Sequence, residues 1–115
     1  MTATIITPPT TTTRTYEAYS GEQITKTTTE WTCGAYTLQK IAEPGYSHWI
    51  VRTADRDLPE ISEMGSYGAT TVEFGVNWSG CGTQTAAEAA AYGQQIATAA
   101  ATAAAFTAII AAETN

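Results

Sequence analysis

Apolar and polar positions alternate through much of the chain and then change period near residue 85. Over residues 71–78, Val72, Phe74, Val76 and Trp78 fall at every second position, which places them on one face of a strand. Residues 13–41 are rich in β-branched and aromatic side chains. Ser20-Gly21-Glu22 interrupts them, so 13–19 and 23–30 read as the arms of a hairpin. Gly34 breaks the run again, 35–41 resumes it, and Glu43-Pro44-Gly45 supplies a turn. Residues 47–54 return as a strand, with Trp49, Val51 and Thr53 on one face and His48, Ile50 and Arg52 on the other.

Beyond residue 85 the larger side chains fall at Tyr92, Ile96, Ala99, Ala103, Phe106 and Ile110, a 4-3-4-3-4 spacing that lines one face of a helix. Thr85-Ala86-Ala87-Glu88 is a capping box for its first turn. The pattern therefore predicts an α+β fold. An antiparallel sheet of four to five strands (about 13–19, 23–30, 35–41, 47–54 and 71–78) packs against one long C-terminal helix (about 85–113). Residues 1–12, with Pro8 and Pro9, form an extended N-terminal arm ahead of a single domain over 13–115; a disordered tail and an arm ordered by a neighbouring subunit are both open. At ~1.5 Å per residue the helix is about 40 Å long, against ~20 Å for a six-residue strand. The excess leaves Phe106, Ile109 and Ile110 as candidates for self-association in a homodimer or larger oligomer. A helix lying diagonally across its own sheet is the alternative.

The longest connection, 55–69, carries Asp55, Asp57, Glu60 and Glu63. Asp57 there can cap a single helical turn, with Pro59 in that turn and Gly65 as its stop. A connection this long is uncommon in a compact domain unless it binds something or is mobile; on the first reading the four carboxylates are the partner-binding candidates.

Charge sharpens this picture. The 115 residues carry 11 acidic and 5 basic groups, a formal net charge of −6. Arg14, Lys26, Lys40, Arg52 and Arg56 are scattered, which argues against a nucleic-acid backbone as partner. An acidic surface steers toward a protein with a basic patch. The N-terminus lacks the charged and apolar regions of a secretory signal, and Glu88, Gln94 and Gln95 interrupt the Ala-rich helix. A cytoplasmic protein, or one carried in a virion, is expected, with no membrane association and with Cys33 and Cys81 as free thiols.

Candidate chemistry is sparse. Cys81 before a helix N-terminus and His48 as its base would make a nucleophilic pair. The plainer reading is a small residue in the Gly80-Cys81-Gly82 joint and an isolated histidine. One His and two Cys do not complete a tetrahedral metal set, and Pro59 stands where a calcium loop needs a ligand. No lysine follows the glycines as in a phosphate loop. Trp31, Trp49, Trp78, Tyr36 and Tyr46 read as core or sheet-face residues. No catalytic, metal or cofactor-binding residue is assigned, and no enzymatic activity or cofactor is expected.

The run His48-Trp49-Ile50-Val51-Arg52, Val72-Glu73-Phe74-Gly75 and Thr85-Ala86-Ala87-Glu88-Ala89-Ala90-Ala91-Tyr92 resembles the strand, strand, helix run of AP2/integrase-type DNA-binding domains. That resemblance implies a sheet that reads DNA, backed by a helix. The family's sheet is rich in Arg, whereas only Lys40 and Arg52 fall on the matching strands here. The Ala/Thr-rich, Lys-poor chain, with segments such as Pro44-Gly45-Tyr46-Ser47-His48-Trp49, is also similar to small accessory proteins of actinobacterial tailed phages. That likeness implies host takeover or anti-defence by binding a host protein, or a minor place in the virion. The expected function is thus a non-enzymatic acidic protein-binding protein. A structural subunit of a particle and a degenerate AP2/integrase-like nucleic-acid-binding module are the alternatives.

Overall fold

The computed structural model describes residues 6–64, 72–77 and 83–114. The chain divides into two compact units, one over Ile5–Arg52 and the other built on Thr53–Asn115.

The first unit is a four-stranded antiparallel meander in the order β1 (Thr10–Glu17), β2 (Gln23–Cys33), β3 (Tyr36–Glu43) and β4 (Tyr46–Thr53). Its short connections turn at glycine. Gly34 and Gly45 adopt φ of 61° and 76°, a region that a Cβ disfavours. The β2–β3 register sets Trp31 opposite Leu38 and Cys33 opposite Tyr36. All four are buried, and full burial of Leu38 alone contributes about 1.5–3 kcal/mol. Trp49 brings its ring centroid to 5.7 Å from that of Trp31, tilted by 31°, and Lys40 Nζ lies 5.5 Å from the Trp49 ring. The opposite face is tied by polar groups: Arg52 Nε donates to Gln39 Oε1 at 2.8 Å, and Gln39 Nε2 donates to Glu30 Oε1 at 2.6 Å.

β1 is exposed along its whole length, because its Thr, Arg and Tyr side chains cover nothing large. It begins inside the expected arm. Thr7 N–H donates to the Thr32 carbonyl at 2.9 Å, and Thr7 Oγ1 accepts from Thr32 N–H at 3.3 Å. At Thr7 the arm is therefore held by its own chain; residues 1–5 lie outside the described residues.

The second unit holds β5 (Glu60–Glu63), β6 (Phe74–Asn77) and α1 (Ala86–Thr114). The α+β architecture stands, with one difference in strand partnership. The strand expected over 71–78, observed over 74–77, pairs with β5 rather than joining the larger sheet. The expected helical turn after Asp57 is replaced by that β5 strand. Asp55 Oδ1 accepts from Asp57 N–H at 2.9 Å in an Asx turn, and after it Pro59 and Ile61 are buried at alternate positions, a strand period. Gly65, Thr71 and Trp78 lie outside the described residues.

The helix rests on this small sheet. Its capping box is formed: Glu88 N–H donates to Thr85 Oγ1 and Thr85 N–H donates to Glu88 Oε1, each at 3.1 Å. The predicted face is the buried one over Ala99, Ala103, Phe106 and Ile110, to which the structure adds Thr102. Thr102 is accommodated because its Oγ1 donates to the Thr98 carbonyl at 2.9 Å. Tyr92 and Ile96 are half-buried, and residues 86–91 are exposed. The helix is also long and apolar enough to cross a membrane.

Burial along the helix is concentrated in its distal half, as in the alternative in which the helix lies on its own sheet. Phe106 is 0% and Ile110 1% exposed within this chain, and Ile109 is half-buried. The side chains of Phe106 and Ile110 are thus spent on the chain's own core, and of the three self-association candidates Ile109 is the one that keeps some exposed surface. The cause is the placement of the small sheet: Phe74 N–H donates to Thr107 Oγ1 at 3.1 Å, which seats β6 on the distal turns.

Candidate functional site

The second unit carries an open groove of about 490 Å³, lined by Arg56, Asp57, Leu58, Pro59, Glu60, Asn77 and Tyr92. Three local structures build it. The turn at Asp55 closes through its carboxylate on Asp57 N–H and through its carbonyl, which accepts from Leu58 N–H at 3.3 Å. The turn presents Arg56 and Asp57 to solvent and delivers Pro59, buried, to the start of β5. Across the β5–β6 pair Glu60 lies opposite Asn77, and Asn77 Nδ2 donates to Ser62 Oγ at 2.8 Å, fixing the amide on that face. Tyr92, half-buried in the second turn of α1, completes the lining.

The four candidate carboxylates are all exposed, but the structure brings only two of them together. Asp57 and Glu60 line the groove. Asp55 turns its carboxylate onto its own backbone. Glu63 lies opposite Phe74 at the far end of β5, three residues from Glu60 and so on the other face. Arg56, Asn77 and Tyr92 were not singled out by sequence as site residues, since they meet only through the fold. The sole advance signal was Tyr92, the one large side chain with a hydroxyl on the helix face.

Chemically the groove joins two carboxylates, one guanidinium and an amide with the apolar side chains of Leu58 and Pro59. Such a lining suits a cationic side chain with an apolar stem. Among the described residues no three of His, Cys, Asp and Glu gather as a metal site. Of the proposed nucleophilic pair, His48 is half-buried on β4, and Cys81 lies outside the described residues. Cys33 is buried. Trp31 and Tyr36 take the core positions expected of them, while Trp78 and the Tyr46 side chain lie outside the described residues.

The strands of the run that resembles AP2/integrase-type domains sit in different sheets, β4 in the larger and β6 in the smaller. No family model matches the chain, and no curated protein or solved structure matches it.

Proposed function

We propose that this chain is a non-enzymatic binding protein whose acidic groove receives a basic surface of a protein partner. The observation that carries the reading is the convergence of Asp57 and Glu60, both exposed, on one open groove that Leu58, Pro59 and Tyr92 also line. The formal charge of −6 supports it by steering basic partners toward the surface over a range of about 10 Å at 0.1 M salt. The likeness to phage accessory proteins extends the proposal to a host protein as that partner.

The test compares two double variants as bait in capture from a bacterial lysate. Asp57→Lys with Glu60→Lys should lose the partner that the unaltered chain retains. Asp55→Lys with Glu63→Lys changes net charge equally but leaves the groove carboxylates in place, and should retain the partner with weaker, more salt-sensitive binding. Equal retention by the groove variant removes the groove from the function.

A further inference from the structure

We propose that the outer edge of β1, which pairs with no strand among the described residues, is a strand-addition site for an extended peptide segment carrying a carboxylate. This surface belongs to the first unit and is independent of the acidic groove. Two observations carry it.

The first is the state of the edge. β1 pairs with β2 in unbroken register from Thr10 opposite Glu30 to Glu17 opposite Gln23, and it lies at the end of the strand order. Ala18 N–H donates to the Glu22 carbonyl at 2.8 Å in the same register, which fixes the alternation of the ladder. Even-numbered residues of β1 direct their amides and carbonyls to β2, so those of Thr11, Thr13 and Thr15 point outward. Edge strands are ordinarily blunted by a bulge, an internal proline or charged side chains. β1 has no bulge and no internal proline, since Pro8 and Pro9 stand before its first residue, and its only charges are Arg14 and Glu17.

The second observation is charge. Arg14 and Lys26 stand directly opposite each other, so their side chains share a face. Like charges so placed destabilise a sheet, and these are two of only five cations in an acidic chain. Arg14 is exposed and Lys26 half-buried. On the same face Glu43 Oε1 accepts from the Tyr16 hydroxyl at 2.8 Å rather than bridging the two cations.

Together these select the occupant. A second copy pairing β1 to β1 would bring four cations onto one face within a few strand spacings of ~4.8 Å. An acidic segment in the same place sets its carboxylate beside Arg14, with Lys26 one strand further in. Main-chain hydrogen bonds to Thr11, Thr13 and Thr15 supply affinity, and the cation pair supplies selectivity.

The experiment titrates the full chain with three capped seven-residue peptides of alternating Thr and Val. One has a central Glu, one a central Lys, and one is the Glu peptide N-methylated on the backbone atoms that face β1. The Glu peptide should bind, with each of the other two weaker by about tenfold or more. Arg14→Glu should invert the preference between Glu and Lys. Thr13→Pro removes an amide the native ladder does not use, and should abolish binding with the circular dichroism spectrum unchanged. If that variant does not fold, the N-methylated peptide decides the point. Absence of Glu-peptide binding, or equal binding of the N-methylated form, overturns the proposal. So does concentration-dependent dimerisation of the chain that Thr13→Pro abolishes, which would make a second copy the occupant.

Discussion

The two halves of α1 have almost the same composition and are held by different forces. In residues 86–98 the side chains are exposed or half-buried, and order rests on alanine's helix propensity and on the reciprocal bonds of Thr85 and Glu88. From Ala99 to Ile110 the helix is fixed by burial of Phe106, Ile110, Thr102 and two alanines. An isolated helix of the first kind is marginal in water, since nucleation is costly and each residue adds little. The small β5–β6 sheet thus determines where the helix is anchored, and the cap keeps the unanchored end from fraying.

Phe106→Ala should break the comparison most severely. Emptying a fully buried aromatic site costs about 3–5 kcal/mol, a large fraction of the stability of a domain this size. Chemical denaturation should show the loss, and the far-UV helical signal should fall in both halves once the anchor is gone. A change confined to the distal half would mean the proximal half stands alone.

Thr85→Ala should separate the halves. Loss of a threonine cap costs about 1 kcal/mol, and amide exchange should quicken in residues 86–91 while residues 99–110 keep their protection. The variant also alters acid behaviour. The Thr85 backbone N–H, and then its hydroxyl, hold the Glu88 carboxyl below its ordinary value. A carboxylate depressed in the folded state contributes stability above its unfolded pKa and loses it as pH falls through the lower folded value. The unaltered chain should lose that contribution in the acid range below the ordinary Glu titration, and Thr85→Ala, which keeps the backbone N–H and removes only the hydroxyl, should remove the smaller share of this pH dependence.

Gly93→Ala has the smallest expected effect. A Cβ at Gly93 meets no atom within 4 Å, and replacing a mid-helix glycine is favourable by about 0.5–1 kcal/mol. Thermal unfolding should shift upward. A downward shift would place something against that face in solution.

The features legible from sequence were those set by local periodicity and capping. The 4-3-4-3-4 spacing identified the buried helix face, Thr85 and Glu88 the cap, and Ser20-Gly21-Glu22 the hairpin turn. What eluded the pattern was set by distant partners. β5 offers only Ile61 as a buried apolar residue within four positions, too short a run to show a period. Its pairing with β6 decides which half of α1 is covered, and no spacing within the helix encodes that. The groove has the same character, because Asp57, Asn77 and Tyr92 come from a turn, a strand and a helix. The acidic residues were visible as a run, but backbone alternation at β5 and the Asx turn at Asp55 divide them.

The Thr107 hydroxyl does two things at once: it accepts the Phe74 amide and donates to the Ala103 carbonyl at 2.9 Å. One turn away in either direction the helix offers Ala103 and Ala111, which have no oxygen to give. Greasy contacts alone would let a strand ratchet along a rod of alanines, each notch resembling the last. This single keyed notch gives the docking one setting, and a slip by a turn would strand a main-chain donor against a methyl group.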